Sequence, residues 1–313
     1  EWYRLHIPCT MFELKIPREV LRSPRAMEQV LTSIYALRNT PGNIVEKWWD
    51  GEVTQWFSLE VVSFGGEIRF FIRTPTQHRS MVEAALYSHY PDLELVELAP
   101  ADDYINRFPP TADEVLKTHR LFGSESILNP EKSDVYPIRT YMDFEEAEED
   151  FRLDPIATLL EVIGKCGSQE ELWMQILIRP AGDGWKEAGE KEIEDLKKKA
   201  TTTTVSPEYG SFEITRLFPG FGIAELIKAI DKNIAKPGFD TVIRYLYITA
   251  PEAYNSNFAR RGVSSALNQH ASKALNEFSY NRKAATHIDR YRAPYFWFFY
   301  KQRFLARQRR IYR

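Results

Sequence analysis

Ten Lys or Arg residues crowd positions 282–313, against the single acid Asp289. Within that stretch Pro294 is followed by six aromatics in a row, Tyr295, Phe296, Trp297, Phe298, Phe299 and Tyr300. Arg303, Arg307 and Arg310 stand at i, i+4 and i+7, so a helix would set all three on one face beside Lys301 and Trp297. An aromatic, basic helix of this kind has three uses. Its rings could lie at headgroup level with the arginines on anionic lipid. It could grip nucleic-acid phosphates while the aromatics stack on bases. It could equally dock its rings on a protein core. The spacing is compatible with all three.

Trp48 and Trp49 adjoin the turn dipeptide Asp50-Gly51. Paired indoles there are candidates for a protein interface, or for packing over a sheet edge. The other residue types that could do chemistry are not spaced for it. Gly184-Trp185-Lys186-Glu187-Ala188-Gly189-Glu190-Lys191 is the nearest approach to a phosphate loop, but Glu190 intrudes between Gly189 and Lys191 and Glu192 stands where a hydroxyl is needed. His6 and Cys9 would point to opposite faces of an extended segment. No two of the six histidines lie four apart on a zinc-binding face. Asp102 and Asp103 are neighbours and diverge, whereas catalytic carboxylates converge from separate elements. The six acids within 143–150 repel one another and read as a solvated face. The expectation is therefore no catalytic set, no cofactor, no metal site and no small-molecule substrate.

The elements that must carry these residues follow from periodicity. The chain has 313 residues, 43% hydrophobic and 27% charged, enough for two ordinary domains. The net charge of −3 excludes a uniformly basic nucleic-acid coat, although the charge is polarised towards the C-terminal end. No apolar run approaches the ~20 residues that cross a bilayer, and two cysteines are too few for a disulfide framework. In 1–99, Leu14 and Ile16 mark a strand, and Met27, Val30, Leu31 and Ile34 a buried helical stripe. Phe57, Leu59 and Val61 alternate, Gly65-Gly66 makes a two-residue hairpin turn, and Ile68, Phe70 and Ile72 return. A second helix through Val82 and Leu86 and a strand at 93–98 complete β-α-β-β-α-β, the pattern of a ferredoxin-like sandwich.

Residues 100–134 are Pro-punctuated and read as a linker with one short helix near 113–119. A second ferredoxin-like α+β domain with inserted helices is expected over 135–281. Its first strand would run through Ile138, Thr140, Met142 and Phe144. A helix through Leu159 and Ile163, a strand at 172–178 and a charged helix at 187–199 follow. Residues 201–204 read as a loop or a frayed helix end. An amphipathic helix, a strand at 241–249 and a long helix from Val263 to Phe278 end the domain. Ile72-Arg73-Thr74-Pro75 and Ile178-Arg179-Pro180 echo one another and raise the question of duplication. The overall expectation is an α+β chain with two ferredoxin-like α/β sandwich domains and a C-terminal basic aromatic helix over 282–313.

Several runs carry a resemblance. They include Phe12-Glu13-Leu14-Lys15-Ile16-Pro17, Trp56-Phe57-Ser58-Leu59-Glu60-Val61-Val62-Ser63 with Gly65-Gly66, and Phe70-Phe71-Ile72-Arg73-Thr74-Pro75. Tyr136-Pro137-Ile138-Arg139, Trp173-Met174-Gln175-Ile176-Leu177-Ile178-Arg179-Pro180 and Lys236-Pro237-Gly238-Phe239 continue it. Together they look like an uncharacterised bacterial family of candidate-phyla (Patescibacteria-type) genomes. That family resembles the N-terminal, non-ATPase region of type IV secretion and conjugation-type coupling proteins. The resemblance implies membrane attachment on the cytoplasmic face, either peripheral or as a soluble region of an anchored protein, and a role in DNA handling. With the residue chemistry it gives the expectation of a non-catalytic scaffold in a translocation apparatus, partnered by itself or by an ATPase. The alternative is a nucleic-acid-binding module that uses the basic C-terminal segment.

Overall fold

The computed structural model describes residues 7–17, 24–38, 54–108, 115, 117–145, 155–205, 213–217, 221–281 and 286–287. It is an α+β structure. In the first half, β1 (Cys9–Lys15) leads to α1 (Arg25–Tyr35), whose Val30 and Ile34 are buried. The hairpin β2 (Phe57–Phe64) and β3 (Glu67–Pro75) turns on Gly65 and Gly66, both at positive φ. Helix α2 (Arg79–His89) and β4 (Glu94–Leu98) follow. All four strands and both helices agree with the periodicity.

The second half departs from it at several places. The segment read as a linker supplies β5 (Arg120–Leu128). The alternation of Ile138, Thr140, Met142 and Phe144 does not make a strand. Residues 141–145 form the short helix α3 (Tyr141–Glu145), where Asp143 Oδ2 accepts from the Thr140 backbone N–H at 2.6 Å and starts the turn. Helix α4 (Pro155–Gly164), β6 (Glu170–Pro180) and α5 (Gly184–Lys199) are as expected. Residues 201–204 are not a loop, because β7 (Thr201–Val205) pairs with β8 (Glu213–Leu217) in a separate two-stranded ribbon. Helix α6 (Phe221–Ile234) and β9 (Phe239–Thr249) follow. The expected long helix stops early. Helix α7 (Ser256–Leu267) gives way to a 3-10 turn, and Phe278 belongs to β10 (Phe278–Tyr280). The apolar positions 274, 275 and 278 continue helical spacing by coincidence.

The strands of both halves lie in one antiparallel sheet of order β10-β5-β9-β6-β2-β3-β1-β4, and β11 (Thr286–His287) also pairs with β5. The halves meet at β2 and β6, in register from Phe57 opposite Ile178 to Phe64 opposite Glu171. Outward from that seam the first half runs β2, β3, β1, β4 and the second runs β6, β9, β5, β10. If β5, β6, β9 and β10 are counted as first to fourth, the two orders are the same. The pairing also shows that β3 corresponds to β9, not to β6, so the Ile-Arg echo links strands that are not equivalent. A better match lies at Thr74 and Thr249, both fully buried at strand ends. Their hydroxyls donate to the carbonyls of Pro75 and Ala250 at 3.3 and 3.2 Å, and each strand then enters a 3-10 turn and a helix.

Alternation along the strands divides the core into two layers. Phe12, Phe57, Ile72 and Ile178 face α1 and α2, while Phe122, Met174, Tyr245 and Tyr247 face α4 and α7. Ile176 packs against both groups, so the four helices share one side of the sheet. On the other side Met11, Val62, Phe71, Leu121, Trp173, Leu246 and Ile248 form a separate layer with Tyr104 and Val115. Helices α5 and α6 make a fourth cluster with Val135 around Ile193, Leu196, Ile230 and Ile234.

Candidate functional site

The polar side chains that the fold gathers lie on the side of the sheet away from the four helices. Cross-strand register puts Glu60 opposite Gln175, Gln175 opposite Arg244 and Arg244 opposite Glu125, in a line across four strands. Glu60, Gln175 and Arg244 are 1%, 3% and 3% exposed, which places them in the interior although each is polar. A buried charge is tolerated only when its hydrogen bonds are made. Ser58 Oγ donates to Glu60 Oε1 at 2.7 Å. Tyr104 Oη donates to Glu60 Oε2 at 2.5 Å and accepts from Gln175 Nε2 at 2.6 Å. Arg244 Nε donates to Gln175 Oε1 at 2.7 Å, and Nη2 donates to the same oxygen. At the outer end Asn281 Nδ2 donates to Glu125 Oε2 at 3.0 Å.

Gln175 is thus a neutral relay. Its oxygen meets the guanidinium, and its amide N–H groups meet the phenol and, at 3.4 Å, the carboxylate. The reverse amide orientation would set donor against donor and acceptor against acceptor, so the flanking charges fix it. Tyr104 comes from a strap of two 3-10 turns, 100–102 and 104–107, that crosses this side after β4. Asp103 sets the second turn, its Oδ1 accepting from the Ile105 N–H at 3.1 Å. The Tyr104 ring lies edge-on to Trp173 at 4.8 Å and beside Phe71 at 5.4 Å. Phe108 reaches Trp173 at 5.6 Å.

A second polar group sits at the end of the seam. Burial pushes the Glu171 carboxyl up, opposed by the Trp173 indole N–H at 3.0 Å and by Arg107, whose Nη1 is 3.4 Å away. The Arg107 guanidinium also lies 4.8 Å from the centre of the Phe64 ring, a cation–π distance. Burial likewise holds the Cys166 thiol at about 11, and a thiol in that range is a poor nucleophile at neutral pH. Cys9 is half-buried, with its Sγ 3.6 Å from the Ile7 carbonyl. Glu171 and its neighbours hold one another in a side-chain cluster, and the line from Glu60 to Arg244 is hydrogen-bonded within itself. What the arrangement does chemically is fix strand register and rotamers.

Among the described residues no three His, Cys, Asp or Glu side chains converge on a point that could hold a metal ion. Nor is any helix among them long and apolar enough to cross a membrane. Gly184 begins α5 and Gly189 lies within it, so the phosphate-loop-like run is the start of the charged helix. The residues singled out for contact with nucleic acid or membrane, Trp297, Lys301, Arg303, Arg307 and Arg310, lie outside the described residues. So do Trp48 and Trp49. Periodicity missed the Glu60, Tyr104, Gln175 and Arg244 group, because it assigns the polar side of a strand to water. A signal was present. Gln175 shares its face of β6 with Trp173 and Leu177, and Arg244 shares its face of β9 with Val242 and Leu246, while the alternate positions Met174, Ile176, Ile243 and Tyr245 are apolar too. Such strands are covered on two faces.

No curated protein and no solved structure matches this chain. A family model described as a domain of unknown function, DUF8128, matches residues 13–274. That span takes in the end of β1, the strands β2 to β9, the seam and the whole Glu60–Arg244 line, and the chain belongs to the DUF8128 family.

Proposed function

We propose that this chain is a non-catalytic scaffold of a membrane-associated, type IV secretion-like translocation apparatus. It would work at the cytoplasmic face through shape and surface, associating with itself or with an ATPase. The observation that carries the reading is the sheet interior. Its buried ionic and amide groups, Glu60, Gln175 and Arg244, are bonded to one another and to Tyr104. Their bonds hold the sheet together. The resemblance of the strand-end and turn motifs to the non-ATPase region of coupling proteins supports the setting. We further read the sheet as two ferredoxin-like units joined at their second strands. The shared strand order and the matched Thr74 and Thr249 strand ends support that reading. Size-exclusion chromatography with light scattering at high micromolar concentration tests the function. Self-association, or a complex with the translocation ATPase, is expected. A strictly monomeric particle indifferent to the ATPase would overturn the proposal.

The charge distribution favours a second reading. Positions 282–313 hold ten cations and one acid in a chain of net charge −3. As a nucleic-acid-binding module the chain would lose affinity steeply with salt. Deleting 294–313 would then abolish binding, and unchanged binding would remove this reading.

A further inference from the structure

We infer that the two halves of the sheet unfold as one cooperative unit and that Gln175 is the residue that couples them. Each half has its own pair of covering helices and its own buried cluster, α1 and α2 in the first, α4 and α7 in the second. By composition each could melt by itself. The seam argues otherwise. Its helix-facing side, Phe57, Leu59 and Val61 against Met174, Ile176 and Ile178, is apolar throughout and carries little positional information. The opposite side carries the charges. Glu60 belongs to the first half and Arg244 to the second, and both are buried in the closed sheet. Gln175 compensates both at once, through Arg244 Nε at 2.7 Å and through Tyr104 Oη, which bonds Glu60. Tyr104 comes from the strap that leads from β4 to β5, so the covalent connection ends in the same network. Without the relay, parting the halves would return Glu60 and Arg244 to water, and the closed seam would lose its advantage.

A smaller tie crosses the same boundary at the helix layer. Tyr35 Oη donates to the Ala181 carbonyl at 3.3 Å, and Lys236 pairs with Glu28 at 2.5 Å. These contacts are partly solvated, so they support the coupling without setting it.

The test is native-state hydrogen exchange on the full chain, read separately in β3 and β9. Val30→Ala opens a cavity under α1 and Val263→Ala one under α7, both at fully or almost fully buried sites. Each single change is expected to lower protection in both strands by the same factor, about tenfold or more. Protection lost only in the half that carries the substitution would overturn the inference. In a Gln175→Leu background the Val30→Ala loss is expected to be confined to β3. Equal loss in β3 and β9 in that background would remove the role assigned to Gln175. Should Gln175→Leu not fold, Tyr104→Phe, which deletes only the shared hydroxyl, reads the same coupling with the same two outcomes.

Discussion

The first half of the sheet turns between its second and third strands on two glycines, whereas the second half places the whole stretch 181–238 at the corresponding point. The tight turn is closed by backbone. Gly65 N–H donates to the Glu170 carbonyl across the seam at 2.9 Å, and a Cβ on Gly66 would stand 3.0 Å from the Cys166 carbonyl. The wide turn is closed by one hydrogen bond at its neck, from the Ala181 N–H to the Gly238 carbonyl at 2.9 Å. Beyond the neck, α5 and α6 pack in one cluster with Val135, and β7 pairs with β8. β6 and β9 stay in register up to Pro180 opposite Phe239, so the insertion leaves the ladder undisturbed. The difference teaches that this strand order tolerates a large excursion at a hairpin tip, because the sheet's energetics reside in the seam and the two side-chain layers.

That comparison breaks most severely at the far end of the polar line that crosses the seam. Arg244→Met removes the cation that faces Gln175 and leaves the Glu60 end of the line buried. The expected loss is about 3–5 kcal/mol, the usual cost of removing one partner from a buried ionic network. Urea unfolding should show a large fall in midpoint, and a change under about 1 kcal/mol would mean that the line contributes little. Gly66→Val comes next. It forces a β-branched residue to φ +97 against backbone oxygen, for which about 3 kcal/mol is expected. At the wide turn, by contrast, a Cβ on Gly238 meets the Trp185 indole, 2.3 Å from Nε1. A side chain can move where a carbonyl cannot, so Gly238→Ala should cost less, about 1–2 kcal/mol. Equal losses at Gly66 and Gly238 would erase the distinction between the two turns.

The tight turn was legible in the sequence and the wide one only in part, for physical reasons. Gly65-Gly66 between two alternating runs has few alternatives, and β1 to β4 follow from local pattern. β5 was hidden because Arg120–Leu128 contains Gly123, Ser124, Glu125 and Ser126, residues that weaken a strand signal. Its pairing with β9 over seven residues supplies what local propensity lacks. β7 was hidden for the opposite reason, since four threonines suit a strand but adjoin no apolar alternation. Phe278 looked helical because spacing from α7 carries on past the 3-10 turn at 268–270. The Glu60–Arg244 line needed register between halves 115 residues apart at Glu60 and Gln175, which periodicity does not encode.

The insertion is fastened to the second half by a titratable contact, which gives the comparison a pH axis. Tyr136 Oη donates to Glu192 Oε1 of α5 at 2.5 Å. Burial, with that carboxylate as hydrogen-bond partner, pushes the phenol from 10.0 up to about 12. The folded state therefore holds this proton more tightly than the unfolded chain. Its contribution is complete below about pH 10 and is lost as pH rises towards about 12. Thermal midpoints measured across that window should fall more steeply for the native chain than for Tyr136→Phe. Tyr245 and Tyr247, also raised by burial, are present in both proteins and cancel in the difference. Identical slopes would mean that the Tyr136–Glu192 contact does not fasten the insertion.

The smallest effect belongs to the contact between the insertion and the first half. Lys236 Nζ lies 2.5 Å from Glu28 Oε1 of α1, with both side chains more than a third exposed. Solvent screens such a pair, so Lys236→Met should cost under about 1 kcal/mol, and the cost should shrink between 0.05 and about 0.5 M salt. Exchange in α1 and α6 should rise slightly while β3 and β9 keep their protection. That pattern would place the insertion outside the cooperative unit that the seam defines. A loss of several kcal/mol, or one insensitive to salt, would instead make the wide turn a structural partner of the first half, and the contrast between the two turns would no longer hold.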